Sequence, residues 1–310
     1  MPTSSWKRRA FRVLDRVLPT VPFRYLPPKQ SVRLAFNVVL NREPDAVGGP
    51  EYEAKLASGD LSRAGVAQAL AHSEEFRRQV PITNILLSMH VSRSEFVAGL
   101  PRARRILDLG GTHQGFADGA LVHLGYPYRF ERLVVVDLPV EERDEIYQGG
   151  SAGAGVESEL GPVEFAFHSM VDLRAYADES FDLVYSGQSI EHVTEADGDT
   201  VVREAFRVLA PGGWFCLDTP NGPVWRLRLA EMMNHDHKIE YEAKALAAKL
   251  EAHGFEVTEC KGLNLMQQGV AARRFDEAEA SAHPGVFAVA EDCLLLALVA
   301  RKPATASWPP

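Results

Sequence analysis

Three cysteines, Cys216, Cys260 and Cys293, are all that this 310-residue chain contains, none at C-x-x-C spacing and each in an apolar, strand-like run. That excludes a disulfide scaffold and a zinc framework, and leaves buried, reduced thiols. No uninterrupted apolar stretch reaches the roughly 18 residues of a membrane span, and the first residues lack the apolar core of a secretory signal. The expectation is a cytoplasmic protein. Also missing is G-x-G-x-x-G, the glycine spacing of dinucleotide-binding turns. Positive charge is scarce over most of the chain: net charge is −9, and beyond residue 33 there are 25 basic against 41 acidic side chains. A body that acidic repels phosphate backbones, so no nucleic-acid partner is expected.

The basic residues that do occur are concentrated at one end. Residues 1–33 hold eight basic side chains against Asp15 alone. Trp6, Ala10, Val13, Leu14, Val17 and Leu18 recur at helical spacing, with the arginines mostly opposite. Such a helix, residues 6–18, either lies on the anionic inner face of a membrane or docks on the protein's own core or on a second subunit, making a homodimer. Internal docking is the commoner fate of a single amphipathic helix. Pro19, Pro22, Pro27 and Pro28 end it and form a stiff connector, so residues 1–30 read as one segment.

Residues 31–85 form a small all-α module. Helical runs begin at Ser31, Tyr52 and Ser62, separated by Asn41-Arg-Glu-Pro-Asp-Ala-Val-Gly-Gly49 and by Gly59-Asp60. Arg42 and Asp45 are expected to cap and bridge the first turn, and Phe76 to sit in the core. From Leu34 to Phe76 the pattern of Pro-Asp, Gly, an aromatic, a Leu-x-x-Gly turn and Ser-x-Glu-Phe resembles a helical domain of unknown function. That domain is related to phycobilisome linkers and recurs in bacterial surface-layer and glycan-associated proteins. The resemblance implies an interaction module and no chemistry.

From about Arg104 short apolar strands alternate with helical stretches, the pattern of a parallel sheet covered on both faces. Strands are expected at 105–109, 133–137, 163–168, 181–186, 213–218, 255–263 and 292–301. Helices are expected at 114–124, 141–147, 197–209 and 240–253, with a flexible loop at Gly149–Gly155. Residues 86–303 read as one domain, followed by a flexible tail at 304–310. In Arg105-Ile-Leu-Asp-Leu-Gly-Gly-Thr-His-Gln-Gly115 an apolar strand ends in an acid, turns on paired glycines and enters a helix. Glycine permits the tight turn and brings backbone close to a nucleoside-bearing cofactor. The next strand, Leu133-Val-Val-Val-Asp137, ends in a carboxylate able to accept two ribose hydroxyls, or to cap a local turn.

Downstream come Asp178-Glu-Ser-Phe-Asp-Leu-Val-Tyr-Ser186, Ile190-Glu-His-Val193, Arg203-Glu-Ala-Phe-Arg-Val-Leu-Ala-Pro-Gly-Gly-Trp214 and Asp218-Thr-Pro-Asn221. In this order they resemble class I S-adenosylmethionine-dependent methyltransferases, over roughly Arg104 to Lys302. The implied fold is a seven-stranded, doubly wound Rossmann-like α/β sheet with the last strand antiparallel, and the implied cofactor is S-adenosylmethionine. The resemblance places Asp108, Gly110 and Gly111 in the nucleotide loop and Asp137 at the ribose. It places Ser169, Met170 and Asp172 around adenine, and Ser186 and Gly187 at the methionine end. Thr112 and Gln114 stand where the family has further glycines.

An alcohol acceptor needs a base, and His192, with Glu191 beside it, follows the fourth strand at the edge where open α/β sheets bind ligands. Gln188-Ser-Ile-Glu-His192 also resembles the Glu-x-x-Glu-His segment of ubiquinone-pathway and some sugar O-methyltransferases, which implies a divalent metal. Asn234-His-Asp-His-Lys-Ile-Glu240 belongs to the same rim, and relatives with glycan substrates have a histidine and a glutamate at the places of His237 and Glu240. Glu191, His192 and His237 are the candidate catalytic residues. Glu191, His192, Asp236 and His237 are the candidate ligands for Mg²⁺ or Mn²⁺. The expected reaction is O-methylation of a sugar hydroxyl in a bacterial glycan or glycolipid precursor. The alternatives are a quinone, polyketide or other small-molecule acceptor, and a non-catalytic scaffold acting through the helical module.

Overall fold

A computed structural model describes residues 27–40, 43–62, 65–66, 69–70, 73, 85–113, 116–143, 155–228 and 236–304. The basic helix expected at residues 6–18, Arg42, Phe76, Gln114, Gly115, His235 and nearly all of the loop expected at 149–155 lie outside them. The chain divides into two compact units, one of residues 1–91 with 277–284 and one of 92–276 with 285–310. Among the described residues no helix is long and apolar enough to cross a membrane.

In the first unit, helices α1 (Pro28–Leu40) and α2 (Gly48–Ser58) are joined by the breaker-rich turn. Val32, Ala35 and Phe36 fall on one face at helical spacing and are buried with Val66, Leu70 and Val91,. The Phe36 ring meets Tyr52 edge-on at 5.8 Å. Asp45 caps the turn as expected, its Oδ1 accepting from the backbone N–H groups of Val47 (3.0 Å) and Gly48 (2.6 Å),. Gly59 ends α2 with φ +81, a left-handed conformation that glycine adopts without strain,.

The second unit is built on one sheet. Its strands are β1 (Arg105–Leu109), β2 (Arg132–Asp137), β3 (Val156–Glu157), β4 (Pro162–Phe167), β5 (Phe181–Gly187), β6 (Leu209–Pro220), β7 (Glu256–Leu265), β8 (Val286–Phe287) and β9 (Cys293–Arg301). They lie in the order β3-β4-β2-β1-β5-β6-β9-β7-β8. The pairs β1–β2, β1–β5, β2–β4 and β5–β6 are parallel, whereas β9 runs antiparallel to both β6 and β7. The expected seven strands are all present, and two-residue strands at each edge bring the number to nine among the described residues. Continuous apolar runs mark strands covered on both faces, and Leu133 to Val136 are each at most 1% exposed,.

Further helices are α3 (Ile85–Ala98), α4 (Gly119–His123), α5 (Glu195–Val208), α6 (Gly222–Trp225), α7 (Ala243–Ala252), α8 (Gln267–Ala271) and α9 (Glu277–Ala282). In α5, Thr194 caps the N-terminus by accepting from Asp197 N–H, and Val201, Val202, Ala205 and Phe206 face the core,. The helix expected at 114–124 is shorter than its pattern indicates. Among the described residues it begins at Gly119, whose φ is +84, and Ala120 N–H is drawn to the carbonyl of Gly111 at 2.7 Å. The segment expected as a helix at 141–147 has one tight turn at Val140–Glu142, and 144–147 lie outside the described residues. Nothing in the sequence reading anticipates α3. Its buried positions mix Ser88 and Ser92 with Met89, Val91, Phe96 and Val97, so no clean apolar stripe announces it,.

Candidate active site

The carboxyl ends of β1, β2, β5 and β6 share one edge, the place where open α/β sheets take ligands. At the end of β1, Gly110 turns the chain at φ +75, and a Cβ there would lie 2.5 Å from the Ser189 Cβ. Ser189 fills that space, its hydroxyl donating to the Leu109 carbonyl at 2.7 Å and meeting the Ser186 hydroxyl at 2.7 Å. Gly111 is required because the Asp108 carboxylate folds over it, 2.0 Å from where a Cβ would stand. Asp108 is 1% exposed, and its Oδ2 has no partner among the described residues. Burial pushes its carboxyl up to about 7, helped by the Asp137 charge and opposed by the Leu121 backbone amide,.

Asp137, at the end of β2, caps its own turn through Leu138 N–H at 2.8 Å and accepts from both the backbone N–H and the hydroxyl of Thr112. Arg143 Nε lies 3.6 Å away. Thr112 thus covers one oxygen of the Asp137 carboxylate, Oδ2, with both its N–H and its hydroxyl. Beyond β4, the Ser169 hydroxyl accepts from Val171 N–H at 3.2 Å, and Met170 packs against the main core. Asp172 is exposed and bound to Arg174 at 2.7 Å, which holds its carboxyl below the usual range.

The opposite side is a network of side chains. Glu191 is 1% exposed and accepts from the Thr219 hydroxyl at 3.0 Å. Burial pushes its carboxyl up to about 8 despite that bond,. His192 Nδ1 pairs with Asp236 Oδ2 at 3.0 Å, and His237 Nδ1 with Glu240 Oε1 at 2.8 Å. Arg226 secures the other Glu240 oxygen at 2.7 Å. The two imidazoles meet edge-on with centroids 5.0 Å apart. Burial lowers the His192 pKa, and the nearby His237 lowers it further against the pull of Asp236. Glu191, His192 and His237 each bring a ligand atom within 4.8 Å of the others. Asp236 stands behind His192 as its hydrogen-bond partner, outside that trio.

Sequence reasoning missed the residues that hold this side together. Asp218, wholly buried at the tip of β6, accepts from Arg93 Nε (2.6 Å), Gln188 Nε2 (2.9 Å) and the Tyr185 hydroxyl. A strand-end acid in Asp218-Thr-Pro-Asn221 was a usable signal. Arg93 gave none, because it arrives on α3 from 125 residues away.

The β1 and β2 side fits an adenosyl group: a left-handed glycine turn, a buried carboxyl with one oxygen unpartnered among the described residues, and a strand-end carboxylate sit at adjacent tips. Residues 114–217 match the family described as a methyltransferase domain, and residues 28–80 match a domain of unknown function, DUF4214. A probable S-adenosylmethionine-dependent methyltransferase of Mycolicibacterium smegmatis is 40% identical over 86 residues, 28% of this chain. That match spans only 33% of the relative's own length. The ubiquinone biosynthesis O-methyltransferase of Xanthomonas axonopodis is 26% identical over 191 residues, 57% of this chain and 74% of its own. A solved S-adenosylmethionine-dependent methyltransferase from Archaeoglobus fulgidus is similar over 74% of this chain and 97% of its own, at 16% identity and a TM-score of 0.48. The chain carries an S-adenosylmethionine-dependent methyltransferase domain behind an N-terminal DUF4214 region.

Proposed function

We propose that the protein methylates a hydroxyl group of a sugar in a bacterial glycan or glycolipid precursor, with His192 as the general base. The observation that carries this reading is the His192–Asp236 pair, 3.0 Å apart beside Glu191 and His237 at the sheet's carboxyl edge. The bound donor supplies a methyl group on a sulfonium, already activated for in-line displacement, so the protein's work is to place the acceptor and remove its proton. Asp236 fixes His192 through Nδ1, so the imidazole is oriented before the acceptor arrives. Its lowered pKa keeps the ring neutral and able to take a proton near pH 7,. His237, braced by Glu240 and Arg226, supplies a second fixed imidazole suited to hydrogen-bonding neighbouring sugar hydroxyls.

Asp137 is proposed to hold the donor's ribose, with Thr112 giving way. Asp108, Gly110 and Gly111 would shape the floor, Ser169, Met170 and Asp172 the adenine side, and Ser186 and Gly187 the methionine end. A second reading is a phenolic small molecule, favoured by the likeness to a ubiquinone biosynthesis O-methyltransferase. A divalent ion on Glu191, His192 and His237 belongs to either reading. The three groups fit one in spacing, and with two nitrogen donors they favour Mn²⁺ or Zn²⁺ over Mg²⁺,. Incubation of the protein with methyl-labelled donor and a panel of sugar nucleotides, glycolipid precursors and catechols tests the assignment. Label on a sugar hydroxyl, with a mass gain of about 14 for one methylene equivalent, is expected. Transfer only to catechols would replace the sugar reading with the phenolic one.

A further inference from the structure

We propose that the acceptor carries its sugar on a phosphate or diphosphate, and that Arg228 and Arg273 bind this anionic group. This rests on the sugar reading above. Strand β9 runs antiparallel to both β6 and β7, so β6 and β7 end at the same edge of the sheet, the edge of the candidate site. Two segments leave from that edge: α6 with the turn after it, and α8 with the bend that leads to Phe275. They meet through aromatic rings. Trp225 is anchored by its Nε1, which donates to the Leu294 carbonyl at 2.9 Å, and its ring centre lies 5.2 Å from that of Phe275. The Arg228 guanidinium lies over the Phe275 ring, 5.4 Å from its centre,.

Four exposed arginines belong to these two segments: Arg226, Arg228, Arg273 and Arg274. Arg226 binds the Glu240 carboxylate at 2.7 Å, and the other oxygen of that carboxylate holds His237, so a single side chain separates this basic face from the imidazole pair. Arg274 is paired with Asp276 at 2.8 Å. The Arg273 side chain has no partner among the described residues, and it stands where glycine is expected. Its N–H bonds the Val270 carbonyl at 3.0 Å and the Arg274 N–H the Gly269 carbonyl at 2.9 Å, the paired bonds that close a helix on a left-handed residue,. That residue is Arg273, at φ +50. Glycine adopts this conformation freely, and a residue with a side chain is strained in it. A ligand for the guanidinium accounts for an arginine held there at a cost in stability.

Guanidinium groups on two separate segments suit an anion with acceptor oxygens on several sides, which a phosphate has and a planar carboxylate lacks. The net charge of the chain is −9, so a basic face beside the candidate site stands against the field of the rest and draws an anionic acceptor to that edge,.

Calorimetry on the full chain with inorganic pyrophosphate, in the presence of S-adenosylhomocysteine, tests the subsite. The wild type is expected to bind, and Arg228→Gln and Arg273→Gln each to weaken pyrophosphate about three- to tenfold with S-adenosylhomocysteine affinity unchanged. Arg273→Gly separates ligand binding from a structural role. It is expected to raise the thermal unfolding midpoint, because the left-handed position is relieved, and yet to lose pyrophosphate as Arg273→Gln does. Should Arg228→Gln disturb the packing on Phe275, the Arg273 pair carries the test. Titration with UDP and with phosphatidylcholine vesicles bearing undecaprenyl diphosphate distinguishes the two sources of such a group. Selective binding of UDP points to a nucleotide-linked sugar, and selective binding of the vesicles to a lipid-linked one. No binding of pyrophosphate by the wild type, or equal binding by wild type and both glutamine variants, overturns the subsite and leaves the sugar reading standing. Methyl transfer to catechols alone overturns both.

Discussion

At the tips of β1 and β2 the polar side chains are answered mainly by nearby backbone and by one threonine, while at the tips of β5 and β6 they answer one another. Asp137 is capped by Leu138 and Thr112 and, among the described residues, Asp108 keeps an unpartnered oxygen, whereas Asp218 alone gathers three side chains from β5, the turn that follows it and a helix. In the function proposed above, the difference follows from what each half must do. A nucleoside is held by a turn and a few acceptors, which one strand-turn-helix segment provides. Moving a proton needs an imidazole whose orientation is set in advance, and that takes partners from separate segments. Asp236 for His192, and Arg226 with Glu240 for His237, are those partners.

Substitutions should separate the halves. The largest expected effect is on turnover: His192→Ala should lower kcat by about 10²- to 10⁴-fold and leave donor affinity within about twofold. Steady-state kinetics with calorimetry measures both, and near-normal kcat would remove His192 as the base. Next is a pH effect confined to the β1 side. Burial raises the Asp108 carboxyl from its ordinary 3.8 to about 7, so the folded protein holds a proton there that the unfolded chain has released. That stabilisation is fully present below about pH 4 and lost as pH rises through 7, at most about 4 kcal/mol for one buried group. Denaturant unfolding across this range should show the wild type falling relative to Asp108→Asn; parallel curves would mean the carboxyl titrates normally.

Asp137→Asn should raise the donor Kd by roughly 10- to 100-fold, the worth of a charged hydrogen bond, with kcat at saturation little changed. A kcat loss without a Kd change would mean the two halves are not separable in this way. The smallest effect is expected from Asp236→Asn, about tenfold in kcat, the loss of about 1.4 kcal/mol when the amide still bonds His192 Nδ1 but no longer favours the imidazolium formed as the proton moves. An effect as large as that of His192→Ala would make Asp236 an equal partner in the chemistry.

The sequence by itself determined the sheet and half of the candidate site. Period-free apolar runs ending in acids, glycines after the first of them and the helix expected at 197–209 are local features, and each holds in the structure within a few residues. They are legible because strand burial and turn chemistry depend on neighbours in the chain. The placements of α3 and of its Arg93 were not legible. An arginine on a helix without an apolar stripe has no local reason to be buried, and its reason is Asp218, reached only after the chain has folded. Likewise, the sequence offered Asp236 as a candidate metal ligand, and the fold made it the partner of His192. What only the tertiary structure decided is which charges meet, because pairing a buried charge depends on distance in space and on nothing local in sequence.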